Sequence, residues 1–186
     1  LIAFMLYFFA DIFAGAVVSG MLPKTMISVA LTNFADYVCM VLITYMWLRY
    51  VMAVEQVPNR DKTVNKLAVL LPFLLSTVAL VVHYLVAPHT LIDSDLNMTL
   101  VLSTYLVAVP IIHIVAVLVY TFGMAKKAVN KSEKKRHLYI GMFPLVVVIG
   151  GILQVVALPQ TPIFCFSCAI LMLIFYIQSM EMQISI

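Results

Sequence analysis

The sequence predicts an all-α polytopic membrane protein, a bundle of six transmembrane spans in this chain or seven in the full protein. Three observations carry that prediction. Of the 186 residues, 65% are hydrophobic and 10% charged, where soluble domains run near half and near a quarter. Mean hydropathy is +1.12. The apolar runs are close to the length a helix needs, at about 1.5 Å per residue, to cross a hydrocarbon core of about 30 Å. They are continuous, whereas the strands of a membrane barrel alternate in segments of about ten residues. Six Gly and three Cys also exclude a collagen-like repeat and a disulfide scaffold.

Each span is delimited by its breaks. Residues 1–20 form the first and stop at Met21-Leu22-Pro23-Lys24. Residues 26–53 follow, up to the polar stretch Gln56-Val57-Pro58-Asn59-Arg60-Asp61-Lys62. The third covers 67–87 and ends at Pro88-His89, ahead of Asp93 and Asp95. The fourth, 98–125, meets the basic run 126–136, and the fifth, 138–158, meets Pro159-Gln160-Thr161-Pro162. The sixth runs over 162–180. Residues 1–186 are thus a single transmembrane bundle with little room for an extramembrane domain.

Orientation follows from the basic residues. Ten of the eleven, Arg49, Arg60, Lys62, Lys66, Lys126, Lys127, Lys131, Lys134, Lys135 and Arg136, flank the second and fourth connections. By the positive-inside tendency these connections are cytoplasmic, with both chain ends inside for a six-span count. The net charge of +3 is explained by this arrangement, so no nucleic-acid partner is expected.

The first segment lacks the basic leader and cleavage site of a signal peptide, and Leu1 already sits in an apolar run, so residues are expected before it. Leu173, Ile177, Met180 and Ile184 recur at spacings of four, three and four, an a/d seam with no terminator. Residues 173–186 therefore read as an exit helix leading to a cytoplasmic output domain, and the seam as the contact of a homodimer.

Polar side chains inside the spans are the candidate site, because in hydrocarbon each needs a partner or a wet cavity. Asp11 lies mid-way along the first span among Ala10, Ala14, Gly15 and Ala16. Asn33 and Asp36 share a face of the second, beside Tyr37. His113 lies near the middle of the fourth, one turn beyond Pro110, with Tyr105 nearer its outer end. Gln154 follows Gly150-Gly151 in the fifth, and His83 is near the outer end of the third. Asn33, Asp36, His83, Tyr105 and Gln154 fall in the outer half, Asp11 and His113 near the midplane. Two readings stand: a ligand pocket entered from outside, with Asn33, Asp36, Tyr105, His113, Gln154 and Asp11 as contacts, or polar groups that fasten helices to one another. Pro72, Pro110 and Pro144 can kink spans and open room beside them.

No catalytic constellation is present: there is no HExxH, GxSxG elbow, phosphate-cradling loop or zinc spacing. Neither an enzyme nor a metal or cofactor is expected within these residues. Cys39, Cys165 and Cys168 lie inside spans and read as small buried hydrophobes, with a thiol pair at 165 and 168 as the alternative. The sequon Asn97-Met98-Thr99 faces outside.

The region Tyr105 to Pro110, the run Lys134-Lys135-Arg136-His137-Leu138-Tyr139, Phe143-Pro144-Leu145 with Gly150-Gly151-Ile152-Leu153-Gln154, and the exit Tyr176-Ile177-Gln178-Ser179-Met180 resemble the multi-span membrane sensor regions that precede GGDEF diguanylate cyclase domains in clostridial and related gut bacteria. Ala10-Asp11 and Tyr45-Met46-Trp47-Leu48-Arg49-Tyr50 agree more loosely. That resemblance implies a multi-pass sensor in a bacterial cytoplasmic membrane, dimeric, with a cytoplasmic output and one further span before Leu1. The DPLTGL-like opening of the cyclase is not among these residues. The expected function is a receptor that binds a small ligand in its outer half and signals through Leu173, Ile177, Met180 and Ile184. The rival is a substrate-binding membrane subunit of an energy-coupling-factor vitamin importer or another small transporter, whose partner would contact the small-residue face Ala10 to Ala14.

Overall fold

A computed structural model describes residues 2–156 together with Ser167, Ala169, Ile170 and Leu173. Among the described residues the chain is all-helical, with an isolated β-bridge between Ile92 and Met98. Three helices are long and apolar enough to cross a membrane, Met26–Val54, Thr63–Val86 and Leu100–Lys127. We number the helices α1 (Ile2–Val18), α2 (Met26–Val54), α3 (Thr63–Val86), α4 (Leu100–Lys127) and α5 (Lys131–Val156). The chain forms two compact units, Ile2–Ala116 and the residues from Val117 on.

Local chemistry sets the ends of these helices. α1 stops where Gly20 takes a left-handed φ of 79° and its N–H closes back on the Val17 carbonyl, a conformation glycine adopts without steric cost. Thr25 then caps α2: its hydroxyl accepts the Ser28 N–H at 3.1 Å, and the Ser28 hydroxyl accepts the Thr25 N–H at 2.8 Å. That reciprocal pair satisfies two of the free donors at a helix start. α2 ends with Gln56 at φ 51°; the Gln56 N–H reaches the Ala53 carbonyl and the Val57 N–H the Met52 carbonyl, the paired closure of a Schellman turn. α3 ends at Val86 because Pro88 follows, and the residue before a proline is pushed out of helical geometry; Ala87 has φ −143° and ψ 63°.

Two boundaries differ by more than two residues from those expected at the edges of apolar runs. α3 begins at Thr63, four residues before the expected Leu67, and α5 at Lys131, seven before the expected Leu138. Charge ends an apolar span but not a helix. Asn130 accepts the Glu133 N–H at 2.7 Å and so caps α5 well ahead of its apolar part. Most of the expected sixth span and the seam at Ile177, Met180 and Ile184 lie outside the described residues; Ser167, Ala169, Ile170 and Leu173 are helical, and Leu173 is exposed.

In the first unit α1 lies along α2. Among the α1 side chains withdrawn from the surface, Ala3, Tyr7, Ala10, Ala14 and Val17 repeat at four, three, four and three, the spacing of one helix face, with Phe4, Phe8, Asp11 and Ala16 half-buried as well. The core joins Val17, Val29, Tyr37, Val41 and Leu80 to Leu102, Leu106 and Val109 of α4, and to Leu91 and Ile92 from the segment between α3 and α4. Much of α3 is bare hydrocarbon: Leu71, Leu74, Leu75, Val78, Val82 and Leu85 are exposed, as lipid contact requires. In the second unit the Thr121 side chain of α4 meets Gly141 of α5 so closely that a Cβ on Gly141 would stand 2.5 Å from the Thr121 Oγ1.

Candidate functional site

The polar groups of the first unit collect at three levels. Highest is the segment 87–99, which folds into a cap. Pro88–Thr90 makes a short 3-10 turn, after which Leu91 and Ile92 are completely buried. The Asp93 carboxylate accepts the Asn97 N–H at 2.8 Å, and Thr99 accepts the Leu102 N–H at 3.4 Å while its hydroxyl donates to the Thr90 carbonyl at 2.7 Å. Lys24, from the connection before α2, clasps this cap by donating to the Asp95 carbonyl at 3.0 Å and to Asn97 Oδ1 at 2.9 Å.

Beneath the cap runs a relay of hydrogen bonds. The Thr90 hydroxyl donates to the Ala87 carbonyl at 2.7 Å, so it accepts from His83 Nε2, also at 2.7 Å. A neutral His83 then accepts at Nδ1, where the Tyr105 hydroxyl lies at 3.3 Å and its ring meets the imidazole edge-on. Tyr105, His83 and Thr90 thereby tie α4 to α3 and to the cap.

At the middle level Tyr37 is wholly buried, its ring against Phe34 and against Phe73 at a centroid distance of 5.7 Å. Among the described residues its hydroxyl has no hydrogen-bond partner, and neither do the buried Tyr84 hydroxyl and Asp36 Oδ1. Tyr37 belongs to the core cluster and Tyr84 packs against it. Asp11 on α1 lies within electrostatic reach of Asp36 on α2.

At the lowest level His113, buried, has both ring nitrogens occupied. Nε2 faces the Val69 carbonyl at 3.2 Å and Nδ1 the Thr44 hydroxyl at 3.1 Å. A carbonyl only accepts, so Nε2 carries the proton and the neutral ring accepts from Thr44 at Nδ1. Three helices, α2, α3 and α4, meet at this imidazole.

Each of the described residues expected as a site has its own surroundings. Tyr105 and His113 each fasten helices. The Asn33 amide donates to the Val29 carbonyl of its own helix at 2.7 Å. Asp11 and Asp36 approach one another, and no hydrogen bond joins any two of the six among the described residues. The side chain of Gln154 lies outside the described residues. Tyr37 and Tyr84 carry the unpaired hydroxyls that the sequence reading did not assign to the site; a phenol in a run of aliphatic residues was the available signal. Nothing in the sequence marks Lys24 as a clasp, because its partners at Asp95 and Asn97 are more than 70 positions away and no local pattern shows such pairing.

The far end of α2 carries a separate polar group. Arg49 donates to Asp61 at 2.9 Å, and Arg60 approaches the same carboxylate at 3.4 Å while donating to the Ala53 carbonyl. The hydrogen bond from Arg49 is the main reason the Asp61 carboxyl is held below the usual carboxylate range. No group of His, Cys, Asp and Glu able to hold a metal ion occurs among the described residues. Compared with known proteins, the chain matches no protein-family model, no curated protein and no solved structure.

Proposed function

We propose that this chain is the membrane sensor of a bacterial signalling receptor, receiving a small molecule in the capped half of its bundle and passing the change to a cytoplasmic, GGDEF-type output through its last helix. The observation that carries the reading is the fully buried Tyr37, whose hydroxyl has no hydrogen-bond partner among the described residues, accompanied by Tyr84 and Asp36 Oδ1. Burying a polar group without a partner costs about 1–3 kcal/mol, and a ligand with matching polar atoms would return that energy. Most of the other polar groups near the cap are satisfied, so the unpaired ones stand out as groups awaiting a partner. Asn33, Tyr105 and Asp11 border this region in the proposal, and His113 acts as the fastening beneath it.

In this reading all six spans cross the cytoplasmic membrane, the cap faces outward and the basic connections face the cytoplasm. Ligand binding shifts the population between two arrangements of the bundle, and the seam Leu173, Ile177, Met180 and Ile184 carries that shift to a paired copy. The importer reading has less support, because the small-residue face Ala10 to Ala14 lies on the side of α1 withdrawn from the surface, and α1 runs along α2. The test joins the native downstream coding sequence and follows a fluorescent reporter of cyclic di-guanylate in cells. Tyr37→Phe and Tyr84→Phe are expected to change the output level without lowering the amount of protein in the membrane. Reporter output indifferent to both, or a downstream sequence with no signalling domain, removes the receptor reading.

A further inference from the structure

The two basic ends of this protein are built differently. At 49–66 the guanidinium groups of Arg49 and Arg60 are taken up by Asp61 and by backbone carbonyls, which leaves Lys62 and Lys66 as its exposed lysines. At 126–136 six cations, Lys126, Lys127, Lys131, Lys134, Lys135 and Arg136, are all exposed. Among the described residues none of these six is in an ion pair, and Glu133 is the one acidic residue in the stretch. The first turn of α5, where Lys131 and Lys134 sit, already bears the positive end of the helix dipole, so the fold concentrates positive potential here and leaves it unbalanced.

The cations also crown a face of stated character. Tyr139, Met142, Val146, Ile149 and Leu153 of α5 are exposed and repeat at three, four, three and four, so they form one apolar stripe. Lys135 and Lys131 continue that stripe upward by one and two turns. The Lys135 ammonium lies over the Tyr139 ring, 5.5 Å from its centroid, so its side chain bends toward the stripe and away from the tip. Tyrosine marks the membrane interface. With Tyr139 at that level, Lys135 stands about 6 Å and Lys131 about 12 Å higher along the helix, through and just above a headgroup layer of about 5–7 Å per leaflet.

We propose that the tip joining α4 to α5 is a binding surface for anionic phospholipid, with Lys131 and Lys135 holding the headgroup phosphate above the Tyr139 stripe and Lys126, Lys127, Lys134 and Arg136 supplying the surrounding field. A soluble polyanion is the less fitting occupant, because the lysines stand directly over an apolar face that only acyl chains would cover. The proposal requires α5 to lie in the bilayer and is independent of the receptor reading.

The test uses the full 186-residue chain in detergent, mixed with equal amounts of phosphatidylglycerol and phosphatidylcholine, with retained lipid counted by native mass spectrometry. Wild type is expected to retain phosphatidylglycerol preferentially. The double variant Lys131→Gln, Lys135→Gln should lose about fivefold in that preference for each lysine removed, whereas the charge-matched Lys62→Gln, Lys66→Gln keeps it. Excess inorganic phosphate should not abolish the preference. Equal loss in both double variants would make the effect one of overall charge, displacement by free phosphate would make the site a phosphate site, and a labelled oligonucleotide bound in place of lipid would make it a nucleic-acid surface; each of these overturns the proposal. Impermeant labelling of a cysteine at Val146 in proteoliposomes reports separately whether α5 is in the bilayer.

Discussion

The Thr44 hydroxyl and Nδ1 of His113 lie 3.1 Å apart, 69 residues apart in the chain, and the opposite nitrogen of the same ring reaches the Val69 carbonyl. One buried imidazole thus fastens three helices. Protonation would be tolerated geometrically, because Thr44 can turn its hydrogen to the Val41 carbonyl at 3.1 Å and accept from Nδ1 instead.

A double-mutant cycle on His113→Ala and Thr44→Ala measures this fastening. Interhelical hydrogen bonds in membranes average about 0.6 kcal/mol and reach about 1.7 kcal/mol, so a coupling of that size is expected in unfolding by denaturing detergent. His113→Ala alone should cost more, about 1–3 kcal/mol, since it also leaves buried polar groups without a partner. Zero coupling would show that the two groups do not bond in the bilayer.

Gly141 should tolerate no side chain. The Thr121 Oγ1 that a Cβ would meet is fully buried and held by the Val117 carbonyl at 2.8 Å, so it has nowhere to move. Gly141→Ala is expected to destabilise by about 1–3 kcal/mol, and adding Thr121→Ala should recover most of the loss. Thermal unfolding of the two variants in the same detergent decides the matter; failure of the second change to rescue the first would mean that α4 and α5 are not this close.

Removal of the Lys24 clasp should loosen the cap and little else. Lys24→Ala deletes both bonds to Asp95 and Asn97, which are exposed and worth about 1 kcal/mol each at most. Faster hydrogen exchange across 93–98, with α2 and α4 unchanged, is the expected result. Unchanged exchange in the cap would show that Asp93 and Thr99 hold it without Lys24.

The connection 55–62 should respond to acid through Asp61. Its carboxyl is held down chiefly by the hydrogen bond from Arg49, so the folded value lies below that of the unfolded chain, near the usual carboxylate value of about 3.9. The pair's contribution is then fully present above that ordinary value and is lost as pH falls through the lowered folded one. Carboxyl resonances followed by NMR should titrate late for Asp61 and return toward the usual range in Arg49→Gln. An unaltered Asp61 titration in that variant would exclude Arg49 as the cause.

Much of the architecture was legible in advance because hydrocarbon imposes one rule on every backbone: each segment satisfies its own hydrogen bonds as a helix of a set length. The apolar runs at 26–53, 67–87 and 98–125 therefore correspond to α2, α3 and α4, with discrepancies confined to ends such as Thr63 and Lys131, where charge and helix part company. Intramembrane polar residues were equally visible as a class, since Asp36, Tyr105 and His113 are conspicuous among aliphatic neighbours. What each does was decided only by tertiary structure. A histidine in a span looks the same in sequence whether its nitrogens face a cavity or, as for His113, a threonine on one helix and a carbonyl on another. Tyr37 carries no local signal that its hydroxyl lacks a partner, and Leu91 and Ile92 do not announce that they fold back into the core. Hydropathy is a property of single residues summed along the chain, whereas a hydrogen bond or an unpaired hydroxyl is a property of two groups whose separation only the fold sets.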